Sequence, residues 1–259
     1  MTLVFPRPTA GSAIADPDVA RADDAALPRD REIFVWLLDL PNLPLTPMLE
    51  FATDAERGAD VRRRYRADFE PWLKSRAALR RILSAVTGQP ARRLAIATGQ
   101  DGKPELADNP DGLHFNASRS GDYALIALAR APVGVDIEAV RPEFSWRTVA
   151  MHWLHPRERA LLDRAPETGR PDLFFQIWTH KEAYFKGVGL GLDREAMIAC
   201  FTGPAYRSLR GPKGSQASQW RLKPLDAPRG YKASLASAAS APIVVDRTRS
   251  FAGALCSQF

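Results

Sequence analysis

Two stretches of the sequence carry residues whose types and spacing could do chemistry. In PVGVDIEAV (132–140), strand alternation puts Val133, Val135, Ile137 and Ala139 on one side. Asp136 and Glu138 then share the other side, beside the small Gly134. Two carboxylates adjacent on one strand face repel unless a cation or positive side chains sit between them. The pair therefore reads either as ordinary acids on a solvent-facing edge or as part of a metal site. In WTHKEAYFKG (178–187), Lys181 and Glu182 stand side by side, with Lys186 beyond them. On a helix, Leu173, Phe174, Ile177, Trp178, Tyr184 and Phe185 fall on one arc of about 140°, and Lys181 lies inside it. A lysine there must snorkel out or meet a buried anion. Glu182 and Lys186 stand at the border of the arc, one turn apart. They read either as a surface ion pair worth a few tenths of a kcal/mol or as groups that act on a metal and a phosphate.

Other signals are smaller. A helix over 72–87 has an apolar stripe of Trp72, Leu79, Leu83 and Val86, with Arg76 projecting from its middle. An arginine there wants a fixed anionic partner, either a carboxylate in a structural ion pair or a phosphate matched to its planar fork. DGKPEL (101–106) combines a turn with Lys103, and FNASRSGDYALIAL (115–128) places Asn116, Ser118 and Arg119 at the exit of a strand. The glycine-rich KGVGLGL (186–192) follows a helix instead of joining strand to helix, so it is no dinucleotide loop, and Gly187 is expected as a helix C-cap.

The elements that must position these groups alternate in an α+β order. A strand is expected at 32–40 and a helix at 53–66 opened by a Thr53–Glu56 capping box. The helix ending before Gly88 follows, then strands at 93–97, 113–118, 123–129 and 133–138. Helices at 145–163 and 171–186 precede strands near 197–201, 220–225, 231–236 and 242–246. Two α+β halves meeting near residue 133 fit this order better than a doubly wound sheet. The expected division is an extension over 1–30 rich in Ala, Asp and Pro, a half over 31–132, and a half over 133–259 that holds the acidic motifs. GPKGSQASQ (211–219) reads as an exposed loop.

The 259 residues, 45% of them hydrophobic, are enough for real cores. No apolar run approaches the ~20 residues of a membrane span, and the N-terminus lacks a basic start followed by a long apolar run. Only Cys200 and Cys256 are present, with no Cys-x-x-Cys, which argues against a disulfide framework or structural zinc and fits a reducing cytoplasm. A net charge of +6 favours an acidic partner: nucleic acid, a phosphorylated cofactor or an acidic protein.

Taken in order, SRAALRRIL, GKPEL, FNASRSG, GVDIE and WTHKEAYFKGVGLGL resemble the surfactin-synthetase-type 4′-phosphopantetheinyl transferases. The likeness runs from about residue 60 to 237, where GYKASLA is similar to a late family strand. It implies a pseudo-dimer of two similar α+β halves with coenzyme A in the cleft between them. The implied activity is that of a holo-acyl-carrier-protein synthase: the phosphopantetheine arm of coenzyme A moves to a serine of an apo acyl- or peptidyl-carrier protein, releasing adenosine 3′,5′-bisphosphate. By the same resemblance Asp136, Glu138 and Glu182 hold Mg²⁺, and Glu182 also takes the proton of the serine. Lys186 steadies charge on the phosphates, Arg76 grips the 3′-phosphate, and Lys103, Asn116, Ser118, Arg119 and Lys181 contact the cofactor. Glu158 matches a further acidic family position. Where many members have Ser-His-Ser, this chain has Ser118-Arg119-Ser120, so Arg119 is expected to bind and not to transfer protons. The resemblance also implies a chain that works as a monomer in the cytoplasm, without nucleic acid or membrane. Two other readings of the residues stay open: a basic nucleic-acid-binding protein, and a metal-dependent phosphohydrolase built on the same carboxylates.

Overall fold

The computed structural model describes residues 26–58, 68–99, 102–190, 199–201, 220–248 and 251. Most of the expected extension, the 211–219 loop and Cys256 lie outside them. Two strands at the centre of the chain explain its layering. In β1 (Glu32–Asp39) the residues Phe34, Trp36 and Leu38 face one way, while Ile33 and Val35 face the other. In β5 (Tyr123–Ala129) Ala124, Ile126 and Leu128 are set against Leu125 and Ala127 in the same manner. Both faces are apolar, so both must be covered.

One face is covered by helix α3 (Phe69–Thr87), with the short helices α1 (Leu45–Leu49) and α2 (Asp54–Arg57) alongside. The expected capping box at Thr53 and Glu56 is present, and Gly88 ends α3 in the left-handed conformation. The other face packs on Val133, Val135 and Ile137 of β6 (Val133–Ala139) and on Ala233 and Leu235 of β8 (Tyr231–Ser237). Beyond them helix α6 (Arg170–Val188) lays Ala183, Tyr184 and Phe185 against Trp220, Leu222 and Ala236. The order of layers is helix, sheet, sheet, helix.

The first sheet runs β4-β5-β1-β9, with β4 at His114–Ser120 and β9 at Ile243–Asp246. The second runs β6-β8-β7, with β7 at Arg221–Leu225, and a small hairpin pairs β2 (Ile96–Thr98) with β3 (Pro104–Leu106). Strand β9 pairs parallel to β1, so the end of the described chain crosses back to the first sheet. The single helix expected over 145–163 is two, α4 (Trp146–Trp153) and α5 (Pro156–Arg164). Pro156 disfavours helical backbone at His155, which instead caps α5 in a box with Glu158. No strand forms at 199–201, the described part of the one expected near 197–201.

Strand β6 is an edge, and its outward N–H groups need partners. Side chains of β4 supply them: Val135 N–H donates to Asn116 Oδ1 at 2.9 Å and Ala139 N–H to Ser120 Oγ at 3.1 Å. On its other side β6 meets α6 almost backbone to backbone. A Cβ on Gly134 would collide with the Ala183 carbonyl and come within 2.7 Å of Gly187 Cα. Gly187 is itself closed in by the Trp220 ring, so it is a packing glycine inside the helix; the left-handed C-cap is Gly189, at φ 86°. The methyl of a Gly134→Ala variant has nowhere to go except by lifting α6 off the sheet. The expected cost is about 3 kcal/mol or more, at the upper end of overpacking effects. Chemical denaturation measures it, and an unchanged midpoint would refute the close crossing.

Candidate active site

The α6–β6 crossing decides which side chains meet. From Thr179 to Gly187 every residue of α6 is buried except Glu182 and Lys186, one turn apart. Both look onto Asp136, which is 1% exposed. Lys186 Nζ lies 2.6 Å from Asp136 Oδ1 and donates to Ser118 Oγ at 3.0 Å, while Ser118 Oγ donates to the same Oδ1 at 2.7 Å. The other oxygen, Asp136 Oδ2, is buried with no hydrogen-bond partner. Glu138 accepts from Ser120 Oγ at 2.8 Å.

These groups hold one another away from their ordinary pKa values. Burial lifts Asp136, against the pull of Lys186 and Ser118. Burial also lifts Glu138, and the Asp136 charge adds to it. Glu182 is pushed up to about 7, chiefly by burial; Lys186 opposes the shift, whereas Asp136 and Glu138 add to it. Burial pulls Lys186 down, but the attraction of Asp136, Glu182 and Glu138 outweighs it and the ammonium is held above its usual value. The result is a dry cluster of three carboxylates with one ammonium. Among the described residues no three His, Cys, Asp or Glu form a ready-made metal cage. Mg²⁺ does not require one, since it commonly takes one or two carboxylates and completes its shell with phosphate and water. An unpartnered buried carboxylate oxygen in a field of excess negative charge fits such an ion.

Beside the cluster opens a pocket of about 260 Å³, lined by Lys103, Asn116, Lys186 and Gly189 among others. Lys103 reaches it from the β2–β3 hairpin and donates to the Val133 carbonyl at 3.0 Å and the Gly187 carbonyl at 2.8 Å. It clasps both sides of the α6–β6 crossing. Burial lowers its pKa to about 8, against the pull of Glu105.

Three expected cofactor contacts stand elsewhere. Lys181 is a correction: it is fully buried, 3.0 Å from Glu158 Oε2, and donates to the Ala199 carbonyl. Glu158 also accepts from the His155 and Phe201 N–H groups. The buried anion that Lys181 required is therefore Glu158 on α5, and the pair locks α5 to α6 with no path to a phosphate. Arg76 meets Glu56 Oε1 at 3.3 Å, sharing that carboxylate with Arg80, which lies 2.7 Å from Oε2. Arg119 projects from the face of β4 opposite Ser118 and meets Asp68, just before α3, at 3.5 Å. The sequence reading omitted Ser120. Alternation puts it on the face of Asn116 and Ser118, but the expected strand ended at 118.

Comparison with known proteins bears on this arrangement. Residues 132–236, which carry β6, α6 and β8, match the 4′-phosphopantetheinyl transferase superfamily. A Synechocystis protein provisionally named a 4′-phosphopantetheinyl transferase is 31% identical over 204 residues, 76% of this chain and 81% of that one. The 4′-phosphopantetheinyl transferase HetI of a Nostoc species is 31% identical over 168 residues, covering 63% and 71%. The 4′-phosphopantetheinyl transferase of Bacillus subtilis is 26% identical over 190 residues, covering 72% and 83%.

The charge cluster predicts a pH effect. A carboxyl whose folded pKa is raised binds more protons in the folded state than in the unfolded one between the two values. Stability then falls as pH rises from about 4.5 to about 7. Asp136, Glu138 and Glu158 act in the same sense. Glu182→Gln, melted without divalent cations, should lose stability less steeply over that window than the unsubstituted protein; parallel curves would show that Glu182 titrates normally. The Lys181–Glu158 pair predicts a different signature. Lys181→Met should cost about 3–5 kcal/mol, as expected when one member of a buried pair is removed. The KM for the nucleotide substrate of the folded variant should stay unchanged.

Proposed function

This chain belongs to the 4′-phosphopantetheinyl transferase superfamily, and we propose that its reaction is carried by the Asp136–Glu138–Glu182–Lys186 cluster. The enzyme transfers 4′-phosphopantetheine from coenzyme A to a serine of an apo carrier protein. The serine oxygen attacks the phosphorus that bears the pantetheine arm. The bond from that phosphorus to the bridging oxygen breaks, and adenosine 3′,5′-bisphosphate leaves. The observation that carries the assignment is the convergence on the buried Asp136: Lys186 and Ser118 bind its Oδ1, and Oδ2 is left without a partner. Glu182, its pKa raised by burial in the same charge field, is the carboxylate placed to take the serine proton.

In this reading Asp136, Glu138 and Glu182 hold Mg²⁺, and Asp136 Oδ2 offers the oxygen without a competing partner. When bound, the ion neutralises charge on the pyrophosphate. Lys186, anchored by Asp136 and Ser118, faces the charge that grows on the bridging oxygen. Lys103, Asn116 and Ser118 line the pyrophosphate side. Arg119 and Arg76 serve the adenosine side from β4 and α3. Arg80 has the shorter contact with Glu56 and keeps that carboxylate paired if Arg76 turns to the 3′-phosphate.

The shared order of the two layers supports a pseudo-dimer. β1, α3, β4, β5 and β6, α6, β7, β8 each run strand, helix, strand, strand. In each set the last strand pairs antiparallel with both the first and the middle one. The halves are 31–132 and 133–259, with β9 returned to the first sheet. A chain that holds both sides of the cleft needs no second copy, so a monomer is proposed. The charge of +6 suits an acidic carrier protein, and the use of only two cysteines, with no Cys-x-x-Cys, suits a reducing cytoplasm. No helix among the described residues is long and apolar enough to cross a membrane. Against a nucleic-acid role stands the cluster itself, whose carboxylates repel a phosphate backbone.

Incubation with coenzyme A, Mg²⁺ and a panel of apo carrier proteins should add the mass of one phosphopantetheine arm to a carrier serine. A phosphohydrolase would cleave coenzyme A without loading any carrier. Glu182→Gln and Asp136→Ala should each lower kcat by orders of magnitude, and normal turnover in either would remove the cluster from the chemistry. Arg76→Ala separates the two uses of that residue. A lost charge-assisted contact to the 3′-phosphate, roughly 1.5–3 kcal/mol, should raise KM about ten- to hundredfold for coenzyme A and far less for dephospho-coenzyme A. Equal losses on both donors would leave Arg76 as the partner of Glu56 alone.

A further inference from the structure

One buried polar group of α6 takes no part in the chemistry above. Thr179, His180 and Ser234 are buried, and Gln176 is partly so. Thr179 Oγ1 donates to the Gln176 carbonyl at 3.0 Å and lies 2.8 Å from Ser234 Oγ. A hydroxyl has one proton, and that of Thr179 is already committed. The proton between the two hydroxyls therefore belongs to Ser234, which donates to Thr179. Gln176 Nε2 donates to Ser234 Oγ at 3.1 Å, and it also lies 3.1 Å from His180 Nε2. An amide nitrogen only donates, so His180 Nε2 accepts and the ring is neutral. Burial, which lowers the His180 pKa to about 4, agrees. The bonds close into a directed loop: Ser234 to Thr179, Thr179 to the Gln176 carbonyl, and the Gln176 amide back to Ser234.

The position of this loop is telling. Ser234 on β8 stands directly opposite Asp136 on β6, so the two side chains share the face under α6. Thr179 precedes Glu182 by one turn of the helix. The apolar residues Ala183, Tyr184 and Phe185 already hold α6 to the sheet, yet apolar contact is non-directional and tolerates sliding. A satisfied polar network fixes one arrangement. Resting on the functional reading above, we propose that Thr179, Ser234 and Gln176 are positioning residues that set the register of α6 along the second sheet and so aim Glu182 and Lys186 at Asp136. None of them touches substrate.

Two substitutions at Thr179 separate positioning from simple glue. Thr179→Val keeps the shape and removes the hydroxyl; Thr179→Ser keeps the hydroxyl and removes a buried methyl. Positioning predicts that stability and activity part company. Thr179→Val should melt below the parent, because the buried Ser234 hydroxyl loses its acceptor. It should also lose about tenfold or more in kcat with KM for coenzyme A within about twofold, a loss that Thr179→Ser at a comparable melting temperature does not share. Thr179→Ser should also melt below the parent and keep its kcat. If turnover instead follows melting temperature, or Thr179→Val works normally, the loop is structural only and the proposal falls. Carrier loading by the unsubstituted protein is measured first, because its absence overturns the functional reading and not this one. In that case hydrogen exchange over residues 180–188 decides: faster exchange in Thr179→Val than in Thr179→Ser supports the register claim, and equal exchange overturns it.

Discussion

The approach of α6 to β6 at Gly134 sets the distance between all the charged groups of the site. With no side chain on Gly134 and none on Gly187, helix and strand backbones come into contact. Lys186, the residue before Gly187, then reaches Asp136, two places along the strand from Gly134, at 2.6 Å. A larger residue at Gly134 would force the two backbones apart. The same contact dries Asp136, which raises the cost of its charge and makes Lys186 and Ser118 necessary to it. Both bind Oδ1. Oδ2 is left over, and that is where an added cation gains most. The closeness of helix to strand, the burial of Asp136 and its leftover oxygen thus follow from one backbone contact.

The interface between the two sheets follows from another unmet need. An edge strand inside a molecule cannot leave its N–H groups bare, and among the described residues β6 has no backbone neighbour on its outer side. Asn116 and Ser120 replace that neighbour, with Ser118 between them on the same face of β4. Three polar residues at alternate positions therefore do two jobs. They join the two sheets, and they hold Asp136 and Glu138 from the first sheet while Lys186 of α6 holds Asp136 from the other side. Access to the site is tied to this seam, since the pocket beside it is bounded by β4 and the end of α6.

Much of this was readable in the residues. Alternation in 133–139 correctly put Asp136 and Glu138 with Gly134 and opposite the valines, because a strand's period depends on little beyond its own backbone. The helical arc placed Lys181 on the apolar side, where it had either to snorkel out or to meet a buried anion, and the second is what occurs; it also put Glu182 and Lys186 at the border. What the arc could not supply was the identity of the neighbour. A wheel gives direction, and the anion facing Lys181 comes from another helix, at residue 158. Assigning Lys181 to a phosphate failed for that reason, and Arg76, facing Glu56, shows the same gap. Ser120 was lost to a strand end placed two residues early, and the C-cap was placed at Gly187 because tight packing and left-handed backbone both call for glycine. The 104–106 strand was hidden by the turn residues before it.

Lys181 and Glu182 are neighbours in sequence with opposite fates, and the difference is about 100° of helix rotation. Lys181 turns into the wedge between α6 and α5, where Glu158 meets it and water is excluded from both side chains. Glu182 turns to the seam, where the partners are other carboxylates and one lysine. A Lys–Glu pair sealed on both sides is satisfied and has nothing left to offer a substrate. An ammonium among three carboxylates is under-neutralised, because Lys103, the other ammonium at the crossing, gives its hydrogen bonds to the Val133 and Gly187 carbonyls. That imbalance is what would attract a cation under the proposed function. Its placement at the only two positions from Thr179 to Gly187 that are not buried gives the imbalance one exit, toward the pocket that Lys103 and Lys186 share. A divalent ion arriving there with a phosphate would supply the positive charge the cluster lacks.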